Sequence, residues 1–117
     1  MIDETLFVSD QKRGFIYALP TDGGAKEPYA EFATVASPDT ITEGPNKSII
    51  TGAFLNFPDG GGSQIRQVSS TGVVKVLFED VFFTKPRGVA YDKKNKRLFV
   101  ADSNGNAVRT IKVLPLE

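Results

Sequence analysis

Leu98-Phe-Val-Ala-Asp102 decides the fold, because a copy of it stands near the other end of the chain. Leu6-Phe-Val-Ser-Asp10 matches it at four of five positions, with Ser9 standing where the later copy has Ala101. A looser copy, Ser48-Ile-Ile-Thr-Gly52, lies between the two. Leu6 and Ile49 are 43 residues apart, and Ile49 and Leu98 are 49 apart. Within each close copy the residues alternate as in a strand. Leu98 and Val100 share one face and Phe99 takes the other, so both faces are apolar. Such a strand has to be covered on both sides.

Similar context surrounds each copy. Pro38-Asp-Thr-Ile-Thr-Glu-Gly-Pro-Asn-Lys47 precedes the middle one, and Pro86-Arg-Gly-Val-Ala-Tyr-Asp-Lys-Lys-Asn-Lys-Arg97 precedes the last. Both read as a Pro, a short strand and a polar turn leading into the apolar strand. Gly14 to Leu19, Gln64 to Val68 and Ala107 to Val113 follow the copies and alternate as half-buried strands do. Tyr29 to Val35 and Val73 to Glu79 come next and are again strand-like. Turn residues separate them, as in Thr21-Asp-Gly-Gly24, Ser70-Thr-Gly72 and Asn104-Gly-Asn106. No window of helical length carries an amphipathic stripe.

A repeat in the mid-forties fits the blades of a β-propeller. With strands lettered a to d from the axis outwards, the chain reads b-c-d, a-b-c-d, a-b-c. The expectation is an all-β chain of about ten antiparallel strands in three propeller blades, the outer two incomplete. Residues 1–117 form one partial domain, with blade one at 5–36, blade two at 37–84 and blade three at 85–115. Gly88 is expected to begin an inner strand where blades crowd the axis and a Cβ is least tolerated.

The residues Pro86-Arg-Gly-Val-Ala-Tyr-Asp92, followed by Arg97-Leu-Phe-Val-Ala-Asp-Ser-Asn-Gly-Asn-Ala-Val-Arg109, resemble an NHL repeat. The wider set they resemble holds six-bladed propellers of the gluconolactonase, luciferin-regenerating-enzyme and senescence-marker-protein type. The resemblance is strongest over residues 85 to 113. It implies a propeller fold. It does not by itself assign an activity, because this architecture hosts lactonases, lyases and binding scaffolds.

Composition narrows the chemistry. The chain has 117 residues, 14 Lys+Arg against 14 Asp+Glu, and no Cys, His or Trp. Without Cys there are no disulfides, thiolate metal sites or cysteine nucleophiles. Without His there is no Ser–His dyad within one chain. Ser9, Ser103 and Thr110 have no activating base in sight. Zero net charge gives no electrostatic footprint for nucleic acid. No apolar run approaches the ~20 residues of a membrane span. Met1 to Thr5 is acidic, unlike a secretory leader, so a cytoplasmic chain is expected.

Ligands of propellers bind where the inner strands begin and the b–c loops emerge. That end selects Asp39 with Thr40, Arg87, Asp10 to Arg13, Phe57 to Asp59, and Ser103 to Asn106. Asp39, Arg87, Ser103 and Asn104 are the candidate ligand-binding residues for a small molecule. An Arg there can hold a carboxylate or phosphate through two hydrogen bonds, or pair with Asp39. The gluconolactonase resemblance implies a divalent metal (Ca, Zn or Mn) held by carboxylates and amides, one of them in a Pro-[Asp/Asn]-Gly motif. Pro38-Asp39-Thr40 matches at Pro and Asp alone, and Glu43 is the second candidate ligand. Arg87 stands at the equivalent place in the last repeat, and a guanidinium opposes a metal. Glu43-Gly44-Pro45 also reads simply as a turn at a strand end.

Gly60-Gly-Gly62 lacks the Lys-Ser/Thr and helix of a phosphate loop and reads as a hairpin. Lys93-Lys-Asn-Lys-Arg97 reads as a solvated hairpin tip. Phe82 and Phe83 suit a core or a subunit contact. A six-bladed ring at about 45 residues per blade needs about 270 residues. Repeat units need neighbours to bury their faces. The chain is therefore expected to complete a six-bladed ring, either as a homodimer with three blades per subunit or with the remainder of a longer propeller chain. Two functions follow: a non-catalytic ligand- or protein-binding scaffold that self-assembles, or a metal-dependent lactonase or hydrolase with its site at the axis.

Overall fold

A computed structural model describes residues 1–10, 12–32, 36–55, 64–79, 85–104 and 107–115. Ten strands account for most of them, in three antiparallel sheets. The first sheet runs β1 (Thr5–Asp10), β2 (Phe15–Pro20), β3 (Glu27–Glu31). The second runs β4 (Ala36–Glu43), β5 (Ile49–Leu55), β6 (Gln64–Val68), β7 (Val74–Glu79). The third has β9 (Arg97–Asn104) between β8 (Lys85–Asp92) and β10 (Ala107–Pro115). The chain is all-β, as its repeats require. The one helical piece among the described residues is a single 3₁₀ turn, Pro45–Lys47. No described helix is long and apolar enough to cross a membrane.

The two close sequence copies occupy equivalent strands. β1 pairs with β2 so that Leu6 faces Leu19 and Val8 faces Tyr17. β9 pairs with both β8 and β10, with Leu98 opposite Tyr91 and Val100 opposite Val89. The apolar faces build two cores between sheets. Ile2, Ile16, Ala30 and Phe32 pack on Ile49 and Val68 between the first and second sheets. Ile50 and Ile65 pack on Leu98 and Val100 between the second and third. Ile49 and Ile50 thus serve opposite cores from adjacent positions on β5, the period of two at work. Full burial of each such side chain stabilises by about 1.5–3 kcal/mol.

Polar ties fix the first sheet to the second. The Tyr29 hydroxyl donates to the Ser69 carbonyl at 2.6 Å, and its ring meets Phe7 edge to face at 4.8 Å. Burial raises the Tyr29 phenol above its ordinary pKa. Gly72, in the turn between β6 and β7, has φ of +87°, and a Cβ there would lie 2.9 Å from the Tyr29 carbonyl oxygen. Only glycine meets both demands.

Two expectations are corrected in detail. β3 begins at Glu27 and not at Tyr29, so Pro28 lies inside it. Its missing N–H is tolerated because β3 is an edge strand. Gly88 does not open its strand, which starts at Lys85. A Cβ on Gly88 would come within 3.3 Å of Ala101 Cβ, its cross-strand partner. Within the chain, the tightness at Gly88 comes from the same sheet.

Candidate functional site

The starts of the two inner strands share an irregularity. On β4, Pro38 pairs with Ala53 and Ile41 with Thr51, so one extra residue is accommodated at Asp39 and Thr40. On β8, Pro86 pairs with Asp102 and Gly88 with Ala101, leaving Arg87 as the extra residue. In both, a bulge follows a proline on an edge strand. Proline cannot donate to the ladder, and a bulge interrupts pairing and re-aims the chain. Asp39 and Arg87 therefore hold equivalent backbone positions on β4 and β8, strands that pack on each other.

Ser103 pairs with Lys85, and Asn104 pairs with Ala107 at the closing end of the β9–β10 hairpin. Arg87, Ser103 and Asn104 thus lie at one end of the third sheet. The backbone places these residues and Asp39, while their side chains lie outside what is described. Gln11, Phe57 to Asp59, Gly60 to Gly62, Phe82, Phe83, Gly105 and Asn106 also lie outside the described residues.

Glu43 lies elsewhere. It closes β4, four residues beyond Asp39, or about 13 Å along an extended strand. Asp39 sits in the first half of that strand and Glu43 at its end. Gly44 donates its N–H to the Ser48 carbonyl at 2.8 Å, and Ser48 Oγ donates to the Pro45 carbonyl at 2.6 Å. Glu43 is thus the last strand residue before a hydrogen-bonded turn. Among the described residues, no three carboxylates come together as a metal cluster. Asp39 and Glu43 by themselves fall short of the six or more oxygens that a hard divalent cation takes.

The motif aspartate has a visible structural role in the first sheet. Asp10 Oδ1 accepts the Arg13 N–H at 3.1 Å, and its carbonyl accepts the Gly14 N–H at 2.8 Å. It caps the β1–β2 turn. Asp102 is its repeat equivalent.

At the opposite end a groove of about 740 Å³ joins Glu43, Lys47, Tyr91, Lys93 and Lys96 with the first residues of the chain. Lys47 Nζ lies 2.8 Å from Asp3 Oδ2, and that hydrogen bond raises the lysine pKa. Asp92 accepts from Asn95 Nδ2 at 2.9 Å and Arg97 Nε at 3.0 Å. The Asn95 amide first, and Arg97 with it, hold Asp92 below the usual carboxylate range. The Lys93–Lys96 turn is exposed and ordered by Asp92. Sequence reading did not bring these turns together, because they come from different repeats.

Comparison with known families bears on the third sheet. Residues 83–110 match the NHL repeat. That span holds β8, β9 and the start of β10, with the Arg87 bulge inside it. No curated protein matches the chain. The NHL-repeat match falls on the third sheet, and the three antiparallel sheets are consistent with propeller blades.

Proposed function

We propose that the chain is a non-catalytic ligand- or protein-binding propeller scaffold that self-assembles. Two copies complete six blades, each contributing residues 5–36, 37–84 and 85–115 as its three. The observation that carries the reading is the NHL repeat at 83–110 on a chain whose first sheet leaves Leu6 and Val8 41% and 49% exposed. Ligand contact is assigned to the bulged inner-strand starts, Asp39 and Arg87, with Ser103 and Asn104 beside the latter. Arg87 favours an anionic group, which a guanidinium grips through two parallel hydrogen bonds.

Light scattering tests the assembly: a dimer is expected at low micromolar concentration, and a stable monomer rejects it. A metal-dependent lactonase or hydrolase of the gluconolactonase-like class is the alternative. It draws on Asp39 at the strand start and needs further ligands from another subunit. Melting with added calcium, zinc or manganese separates the two, because a metal that binds the native state raises Tm. The scaffold reading expects no metal-dependent rise and no lactone hydrolysis.

A further inference from the structure

The internal repeat states what should cover each uncovered face. Leu98 and Val100 are fully buried, because their face of β9 lies against Ile50 and Ile65 of the second sheet, with Leu77 and Phe78 beside them. Leu6 and Val8 are their sequence equivalents on β1. They are 41% and 49% exposed. The register puts Leu19 and Tyr17 across from them, so one face of the first sheet carries Leu6, Val8, Tyr17 and Leu19. Phe15 stacks on Tyr17 at 5.5 Å and extends it.

The phenylalanine between them takes the other face of its strand in both copies. Phe7 packs into the core shared by the first two sheets. Its equivalent, Phe99, is partly buried like Phe7 and lies on the face of β9 opposite Leu98 and Val100, paired with the exposed Ala90. Gly88, Ala90 and Ala101 share that face by register, and Arg97 lies over the Phe99 ring at 5.0 Å. Each uncovered face therefore has a covered twin inside the chain. The twin of the Leu6 face is covered by a face of the Phe99 kind, and the twin of the Phe99 face by one of the Leu6 kind.

We propose that the Leu6/Val8 face of the first sheet docks on the Ala90/Phe99 face of the third sheet of a second copy. The contact is head to tail, and it repeats the stacking already present between sheets of one chain. Bulky side chains on the first sheet meet small residues flanking one aromatic ring on the third. Two such junctions close a dimer, and each copy uses both faces. The proposal rests on the self-assembly reading and adds to it the surfaces and their polarity.

The test uses single substitutions at exposed positions, with circular dichroism confirming that each variant is folded. Val8→Lys and Ala90→Lys each put an unpaired charge in a junction. Each should weaken the dimer at least about tenfold in light scattering. Val73→Lys, at a turn residue 65% exposed, should leave it unchanged. Mixing the two junction variants should restore a dimer joined by one intact junction, because Val8→Lys keeps a native Phe99 face and Ala90→Lys keeps a native Leu6 face. A wild type that is monomeric overturns the self-assembly reading together with this one. A dimeric wild type with Ala90→Lys silent, or a mixture that stays monomeric, rejects the head-to-tail faces and leaves self-assembly standing.

Discussion

The first and third sheets carry nearly the same pentapeptide and bury it differently. Leu98 and Val100 are sealed against the second sheet, while Leu6 and Val8 look outward. The side chains are alike, but β9 lies between two strands with a sheet stacked over its Leu98 face, whereas β1 is an edge strand whose Leu6 face meets no sheet among the described residues. Burial in a repeat fold belongs to the junction between sheets and not to the repeat itself. A residue type therefore says that a strand wants covering, and its place along the array says whether the chain supplies the cover.

The largest expected effect breaks that comparison directly. Leu98→Ala should cost about 2–5 kcal/mol in denaturant unfolding, the range for emptying a packed site. Leu6→Ala, measured on dilute chain, should cost no more than about 1 kcal/mol, since much of its surface is already in water. Equal losses would mean that Leu6 is covered in solution at that concentration. Next comes the joint that holds the first sheet. Gly72→Ala forces a side chain into a positive-φ turn and against the Tyr29 carbonyl, at about 1–3 kcal/mol by thermal melting. Tyr29→Phe removes one hydrogen bond across the same joint and should cost about 0.5–1.5 kcal/mol. Hydrogen exchange should show faster opening in β1 to β3 than in β8 to β10 in both variants.

The smallest effect concerns the β8–β9 turn. Asp92 titrates below its ordinary value of 3.8, so its charged form is favoured by folding. Its contribution is present above pH 3.8 and is lost as the pH falls through the lower, folded-state value. Asp92→Asn should lower Tm slightly at neutral pH, and the gap to wild type should close in acid. A gap that widens as the pH falls would contradict the assignment of Asp92 as the turn's anchor.

Much of the fold was legible because the repeat is written in residues that only a two-sided strand needs. Leu98, Phe99 and Val100 cannot all be buried by one neighbour. The turn residues then marked where strands end. Register was less legible. The bulges at Asp39 and Arg87 are mismatches in length between paired strands, which no single strand records. Pro28 hid the start of β3, because proline reads as a boundary until the strand is known to be an edge. The tie from Tyr29 to Ser69 spans 40 residues and depends on one carbonyl, a group every residue carries. At the candidate site, sequence placed Asp39 and Arg87 at strand starts. It could not place Glu43 at the far end, since a carboxylate four residues on looks close in sequence and is distant in an extended chain.

The paired bulges carry a consequence for how this scaffold changes over time. An extra residue in a strand sits outside the ladder's one-to-one matching, so its identity is freed from the demands of pairing. Asp39 in one repeat and Arg87 in the next differ in charge sign at the same structural slot. The slot can therefore exchange an acid for a base while the sheet around it keeps its register. Under the proposed ligand role, such an exchange would reverse the charge a ligand meets without the fold having to be rebuilt.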